Sequence, residues 1–272
     1  MLQQKLTKAT IADLKAANTL LTRAKKNVEM AGLHFPILKW PCRLISIADS
    51  SHGTKHTSYA QEAGGIFLAS DNTNKVIMNK AGVISRDSEH HLGGAVHRLA
   101  CFSKKSKRIS HSTSHAETLA AVSTIQYSQL IALRYTELIS GCTVGASKPL
   151  QVLISISDTG KYILPIDHYI DCYDLFQLCC GMKGIPTDKT QRLSILSIRE
   201  DRLCGRIRNF IHIPTNAMVV DGLTKPGTFS ELLKLVSTGQ WTVWSTLSKC
   251  CTMRSLVKLD TYTEDDLVGL TS

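Results

Sequence analysis

Leu44-Ile45-Ser46-Ile47-Ala48-Asp49-Ser50-Ser51 is a short apolar run that stops abruptly at a carboxylate. A run of this length bounded by turn residues reads as a buried strand. Working outward, Gly64-Gly65-Ile66-Phe67-Leu68-Ala69 reads as a second strand and 96–102 as a third, closed by the basic cluster Lys104-Lys105-Ser106-Lys107-Arg108. The residues from 70 to 95 are polar and rich in His and Gly, which predicts a loop or weak hairpin. A long helix is expected over 114–140, with Gly141 as its stop. A fourth strand, interrupted by Pro165, runs over 162–170 and ends at Asp171. A short helix over 175–180 closed by Gly181, a charged amphipathic helix over 187–203 and a fifth strand over 206–213 follow. The last expected helix covers 229–236, and the tail from 240 has no clear pattern. Ahead of all these, Ile11, Leu14, Ala17, Leu21, Ala24 and Val28 recur at spacings of three and four and predict an amphipathic helix over 9–30. Phe35-Pro36 and Trp40-Pro41 then interrupt regular structure, because proline lacks a donor and biases its predecessor away from the helical region. Strands and helices in this order predict an α/β fold, a mixed sheet covered by helices.

Composition sets the limits of function. Of 272 residues, 43% are hydrophobic and 20% charged, enough for a sizeable core in one large domain or two small ones. This excludes wholesale disorder, collagen-like repeats and coiled-coil fibres. Lys and Arg number 32 against 22 Asp and Glu, a net charge of +10, which favours a polyanionic partner and nucleic acid over an anionic membrane. The most apolar uncharged stretch, 118–133, carries Ser, Thr, Gln and Tyr and is shorter than the roughly 20 apolar residues of a membrane span. Met1-Leu2-Gln3-Gln4-Lys5 lacks the apolar core of a signal peptide. Nine scattered cysteines form no CxxC pair and no zinc-finger spacing, so reduced, partly buried thiols of an intracellular protein are expected.

Four carboxylates occupy element ends: Asp49, Glu117, Asp171 and Asp221. Strand ends and helix starts are where an open α/β sheet gathers functional groups. Crowded carboxylates are tolerable when a hard divalent cation neutralises them, and four of them on one sheet edge would make a two-metal site for phosphodiester chemistry. Each also has a simpler role. Ser114-x-x-Glu117 fits a capping box, Asp49 and Asp221-Gly222 fit turns, and Asp171 has close rivals in Asp167 and Asp174. No G-x-S-x-G elbow or Walker loop is present, so an unrelated hydrolase has little support. His52, His115 and His212 lack a nucleophile pattern and read as surface or core histidines.

The local sequences around the acids are more telling than the acids alone. Ile47-Ala48-Asp49-Ser50-Ser51, Ser110-x-Ser112-Thr113-Ser114-His115-Ala116-Glu117, Ile170-Asp171, and Ile213-Pro214-Thr215-Asn216-Ala217-Met218-Val219-Val220-Asp221-Gly222-Leu223-Thr224-Lys225-Pro226 appear in that order. Over about residues 1–240 the chain resembles the RNase H domain of copia-type (Pseudoviridae-like) retrotransposon Pol polyproteins, especially fungal ones. The last motif is the most specific; Val219-Val220 departs from the small residue usual before its aspartate. Residues 98–105 and 198–207 are similar to further strands and passages of that family. Residues 1–40 are similar to the segment joining reverse transcriptase to RNase H.

The resemblance implies an RNase H-like fold with a five-stranded mixed sheet and helices on both faces. It divides the chain into a helical connection (1–40), the RNase H-like domain (41–226) and a C-terminal helix and tail (227–272). It implies an endonuclease that hydrolyses the RNA strand of RNA–DNA hybrids, leaving a 3′-hydroxyl and a 5′-phosphate. Asp49, Glu117, Asp171 and Asp221 match its metal-binding catalytic acids, holding two Mg²⁺ ions with Mn²⁺ as a substitute. Lys104, Lys105, Lys107, Arg108, Arg206 and Arg208 are candidate phosphate contacts, and the Lys104–Arg108 run also fits a nuclear signal. A reverse transcriptase domain is an expected partner, a membrane is not, and cytoplasm or nucleus is the expected location. Because the chain begins at Met1 without a polymerase, a fragment, a decayed element or a separately encoded remnant is expected. The competing function is then an inactive RNase H-like module that binds nucleic acid or protein.

Overall fold

A computed structural model describes residues 10–26, 32–51, 59–71, 92–110, 112–139, 147–225, 230–243 and 249–252. His52, most of the expected 70–95 loop and the tail beyond residue 252 lie outside the described residues. The elements run α1 (Ile11–Lys26), β1 (Cys42–Ser51), β2 (Tyr59–Ser70), β3 (Gly94–Ile109), α2 (Thr113–Ile139), α3 (Ser147–Thr159), β4 (Ile166–Ile170), α4 (Tyr173–Cys179), α5 (Lys189–Leu203), β5 (Asn209–His212), a 3₁₀ turn (Thr215–Ala217), α6 (Asp221–Thr224), α7 (Ser230–Thr238), β6 (Gln240–Trp241) and β7 (Lys249–Thr252).

The sheet has the order β6-β3-β2-β1-β4-β5-β7. β1, β2 and β3 form an antiparallel meander, whereas β4 pairs parallel to β1 and β5 parallel to β4. This is the expected α/β class: a mixed five-stranded core with helices on both faces, here widened by two short antiparallel edge strands.

The side-chain period of two along β1 sorts the core. Leu44 and Ala48 face one layer, where Ala120, Ala121 and Ile125 of α2, Phe176 of α4 and Ile195 and Ile198 of α5 pack. Ile45 and Ile47 face the other, filled by Met218, Val219 and Val220, Leu235 of α7, and Trp241. Helices therefore cover both faces. Close packing of α2 over the sheet depends on Gly64, where an added Cβ would come within 2.5 Å of the Phe102 ring and Thr124 Oγ1.

Several expectations are corrected. β3 does not stop before the basic cluster; Lys104 to Arg108 belong to the strand, because their backbone pairs with β2 as far as Tyr59–Ile109. The expected fourth strand begins only at Ile166, since Pro165 has no amide to donate and uses its carbonyl to accept from Leu44 N at 2.9 Å. Residues 147–159 form a helix where sequence showed no pattern, and the tail supplies β6 and β7. In α1 the apolar positions Ile11, Leu14 and Leu21 are exposed, so this face is not covered by the described residues. Cys42, Cys101, Cys172, Cys179, Cys180 and Cys204 form no disulfide. No helix among the described residues is long and apolar enough to cross a membrane.

Candidate metal centre

The parallel register of β1 and β4 aligns Ile47 with Tyr169. Two residues further, the same alternation brings Asp49 and Asp171 side by side at the ends of adjacent strands. α2 begins beyond β3 and directs Glu117, in its second turn, to the same edge, where Glu117 Oε1 accepts the Ser50 amide at 3.3 Å. One carboxylate oxygen from each of Asp49, Glu117 and Asp171 lies within 4.8 Å of the others. Asp49 and Glu117 are buried at 1% and 4% exposure, and Glu117 Oε2 is buried without a hydrogen-bond partner.

The fourth acid, Asp221, opens α6 and sits next to this trio. Its Oδ1 accepts from Lys225 Nζ, one helical turn on, and the same ammonium lies 4.0 Å from Asp49 Oδ1. Thr224 donates its hydroxyl to Asp49 Oδ2 and lies 2.9 Å from the Asp221 carbonyl. His212, at the end of β5, places Nε2 3.1 Å from the Asp171 carbonyl.

The electrostatics follow from crowding in a dry place. Burial, reinforced by the charges of Asp171 and Asp221, outweighs Thr224 and Lys225 and pushes the Asp49 carboxyl up to about 6. Burial, with Asp49 and Asp171, pushes Glu117 up to about 9. Burial also raises Asp171, against a hydrogen bond from Thr215. For Lys225 burial opposes the charge, but the bond to Asp221 and the fields of Asp49 and Asp171 prevail and raise its pKa.

The rivals of Asp171 lie elsewhere. Asp167 is fully buried between Arg43 and Arg208, and Asp174 pairs with Lys183 at the surface. Glu117 does not close a capping box with Ser114. The α2 cap is Ser112, whose Oγ accepts the His115 amide at 3.1 Å, while Ser114 Oγ accepts from Gln191 Nε2. The cap lies two residues earlier than the motif spacing assumes, which frees Glu117 to reach across to β1. His115 is a buried residue at the start of α2.

The basic candidates divide into two groups. Lys104 stands opposite Glu62, which stands opposite Ser50, so it lies two strands, roughly 10 Å, from the acid edge. Its Nζ is 3.4 Å from Glu62 Oε2, and Lys105 lies 4.4 Å over the Tyr59 ring. Lys107 and Arg108 extend the strand past the acids on the same side. Arg206 and Arg208 are at the other end. Arg206 pairs with Asp201 and Glu200, and Arg208 with Asp71 and Asp167, beside the start of β4. Lys225 and Thr224 were not singled out by sequence reasoning, although their spacing of four and three from Asp221 on a helix places them on its face.

No protein-family model and no curated protein matches the chain. Among solved structures, it is similar to RNase H1 of the halophilic archaeon Halobacterium salinarum NRC-1, at 13% identity and a TM-score of 0.35, over 64% of this chain and 86% of that one. It is likewise similar to LC11-RNase H1, isolated from compost by a metagenomic approach, at 12% identity and a TM-score of 0.33, over 66% of this chain and 91% of that one.

Proposed function

We propose that the chain is a divalent-metal-dependent ribonuclease H that hydrolyses the RNA strand of RNA–DNA hybrids, serving the replication of a copia-type, fungal retrotransposon. The observation that carries this reading is the convergence of Asp49, Glu117 and Asp171 within 4.8 Å at one sheet edge, with Asp221 adjacent. The donor set is all oxygen, and the buried Glu117 Oε2 lacks a partner, as suits a hard cation such as Mg²⁺ or Mn²⁺. Asp49, Glu117 and Asp171 would hold it. A bound ion of this kind lowers the pKa of an attacking water and stabilises charge on the leaving oxygen. The Ser50 amide and the Thr224 hydroxyl orient Glu117 and Asp49, so the cluster is positioned before substrate arrives. That Lys104, Lys105, Lys107 and Arg108 lie on β3 at the same sheet end supports them as contacts for a phosphate backbone leading into the acids. The apolar face of α1, not covered by the described residues and in the segment similar to the polymerase connection, supports a reverse transcriptase domain as partner.

The test is cleavage of a hybrid labelled on its RNA strand, with Mg²⁺ and then with EDTA. Wild type should cut with Mg²⁺ alone, and Asp49→Asn or Glu117→Gln should lose at least about 10³-fold in rate, several kcal/mol of charge stabilisation, while still binding hybrid. Glutamine in place of Glu117 keeps the acceptor for Ser50, so a lost rate there reports the missing charge. A wild-type protein that binds hybrid but never cuts it overturns the enzyme reading and leaves the binding module.

A further inference from the structure

The four acids are not equivalent. Three converge to within 4.8 Å, close to the roughly 4 Å span of the oxygen shell around one small ion at about 2.1 Å, so a small closure would set them around a single cation. The fourth, Asp221, is joined to Asp49 through Lys225 Nζ, which contacts Asp221 Oδ1 and stands 4.0 Å from Asp49 Oδ1. Asp221, outside the converging trio, and its neighbour Asp49 are the residues that would have to hold a second ion. The ammonium is held there by local geometry. Lys225 follows the short helix that Asp221 opens, so its side chain returns along that helix to the acid four residues back. Its backbone amide is bonded to the Asp221 carbonyl at 2.9 Å, and the neighbouring Thr224 hydroxyl ties Asp49 to the same helix.

A divalent ion and an ammonium held between Asp49 and Asp221 would repel each other at close range, so one excludes the other. We propose that Lys225 takes the place of a second divalent cation, so that the loaded site holds one metal ion on Asp49, Glu117 and Asp171 and one ammonium between Asp49 and Asp221. This rests on the metal-site reading above and departs from the ion pair that the family resemblance implies. Lys225 is thereby a positioning residue that sets metal stoichiometry.

The test counts Mn²⁺ bound to the full chain at neutral pH, from the spin-resonance signal of free Mn²⁺ during titration. Wild type should bind one ion, Lys225→Met two, and Lys225→Met combined with Asp221→Asn one again. Lys225→Arg, which keeps the charge, should stay at one. Two ions on wild type, a count that needs no variant, overturn the proposal and leave the metal site intact. One ion on folded Lys225→Met also overturns it. No bound ion on wild type removes the metal-site reading itself, and the stoichiometry with it.

Discussion

The two ends of the β1–β4 strand pair bury carboxylates in opposite ways. At the far end, Asp167 accepts from Arg43 at 2.7 Å, from Arg208 at 2.7 and 2.9 Å and from Asn209 at 2.8 Å, with both Arg43 and Asp167 fully buried. Burial would raise its pKa, but the two guanidinium groups outweigh that and lower it. Along β4, four residues and roughly 13 Å away, Asp171 joins Asp49 and Glu117, and all three are raised. Asp167 and Asp171 are the same residue type on the same strand face. What separates the two carboxylates is the supply of counter-charge: complete at one end, deficient at the other. A deficit of positive charge among buried oxygens is a standing demand for a cation.

Breaking the satisfied end should have the largest effect. Arg43→Met leaves Asp167 with a single guanidinium in a dry site and should destabilise the fold by about 3–5 kcal/mol, read from denaturant unfolding. A loss below about 1 kcal/mol would mean that Arg208 alone neutralises Asp167 and that the contrast is overdrawn.

The two ends should also titrate with opposite sign. Asp167 has a depressed pKa, so its contribution is present above about pH 4 and is lost as pH falls through its folded value. Asp49 and Glu117 have raised pKa values, so the metal-free fold holds extra protons and loses stability as pH rises from about 4 through about 6 and then about 9. For Asp49 alone the loss amounts to up to about 3 kcal/mol. Asp49→Asn should flatten the decline between pH 4 and 6, and Mg²⁺ should raise the wild-type melting temperature most above pH 6. A melting temperature in EDTA that stays level across pH 4–8 in both proteins would contradict this account. His168, buried with its pKa pushed down to about 3, adds a decline of the opposite sense below pH 6.5 that both proteins share.

The smallest effect concerns the neighbouring strand. Lys104→Ala with Lys105→Ala should reduce the salt slope of hybrid binding by up to roughly 0.9 log units per lost contact and leave stability nearly unchanged. Arg206→Ala, at the other end of the sheet and paired with Asp201 and Glu200, should leave that slope as it is. Equal slope changes at both ends would remove the directionality assigned to the basic strand.

The sequence by itself determined the order of the main elements, though not α3, β6, β7 or the end of β3, because those signals are local. An apolar run halted by Asp49, a periodic helix before Gly141 and a charged helix over 187–203 need only neighbours a few residues away. The side chain of Asp188 does accept the Gln191 amide at 2.7 Å as that helix's cap. Only the tertiary structure decided between Asp167 and Asp171. The strand period of two places both on one face, and the choice lies in the register that sets Ile47 beside Tyr169 and in where Arg43 and Arg208 fall. Likewise it moved the α2 cap to Ser112, tied up Arg206 and Arg208 in ion pairs and brought Lys225 between two acids. Each of these depends on groups far apart in the chain, and the energy of a buried charge is set by what surrounds it in space.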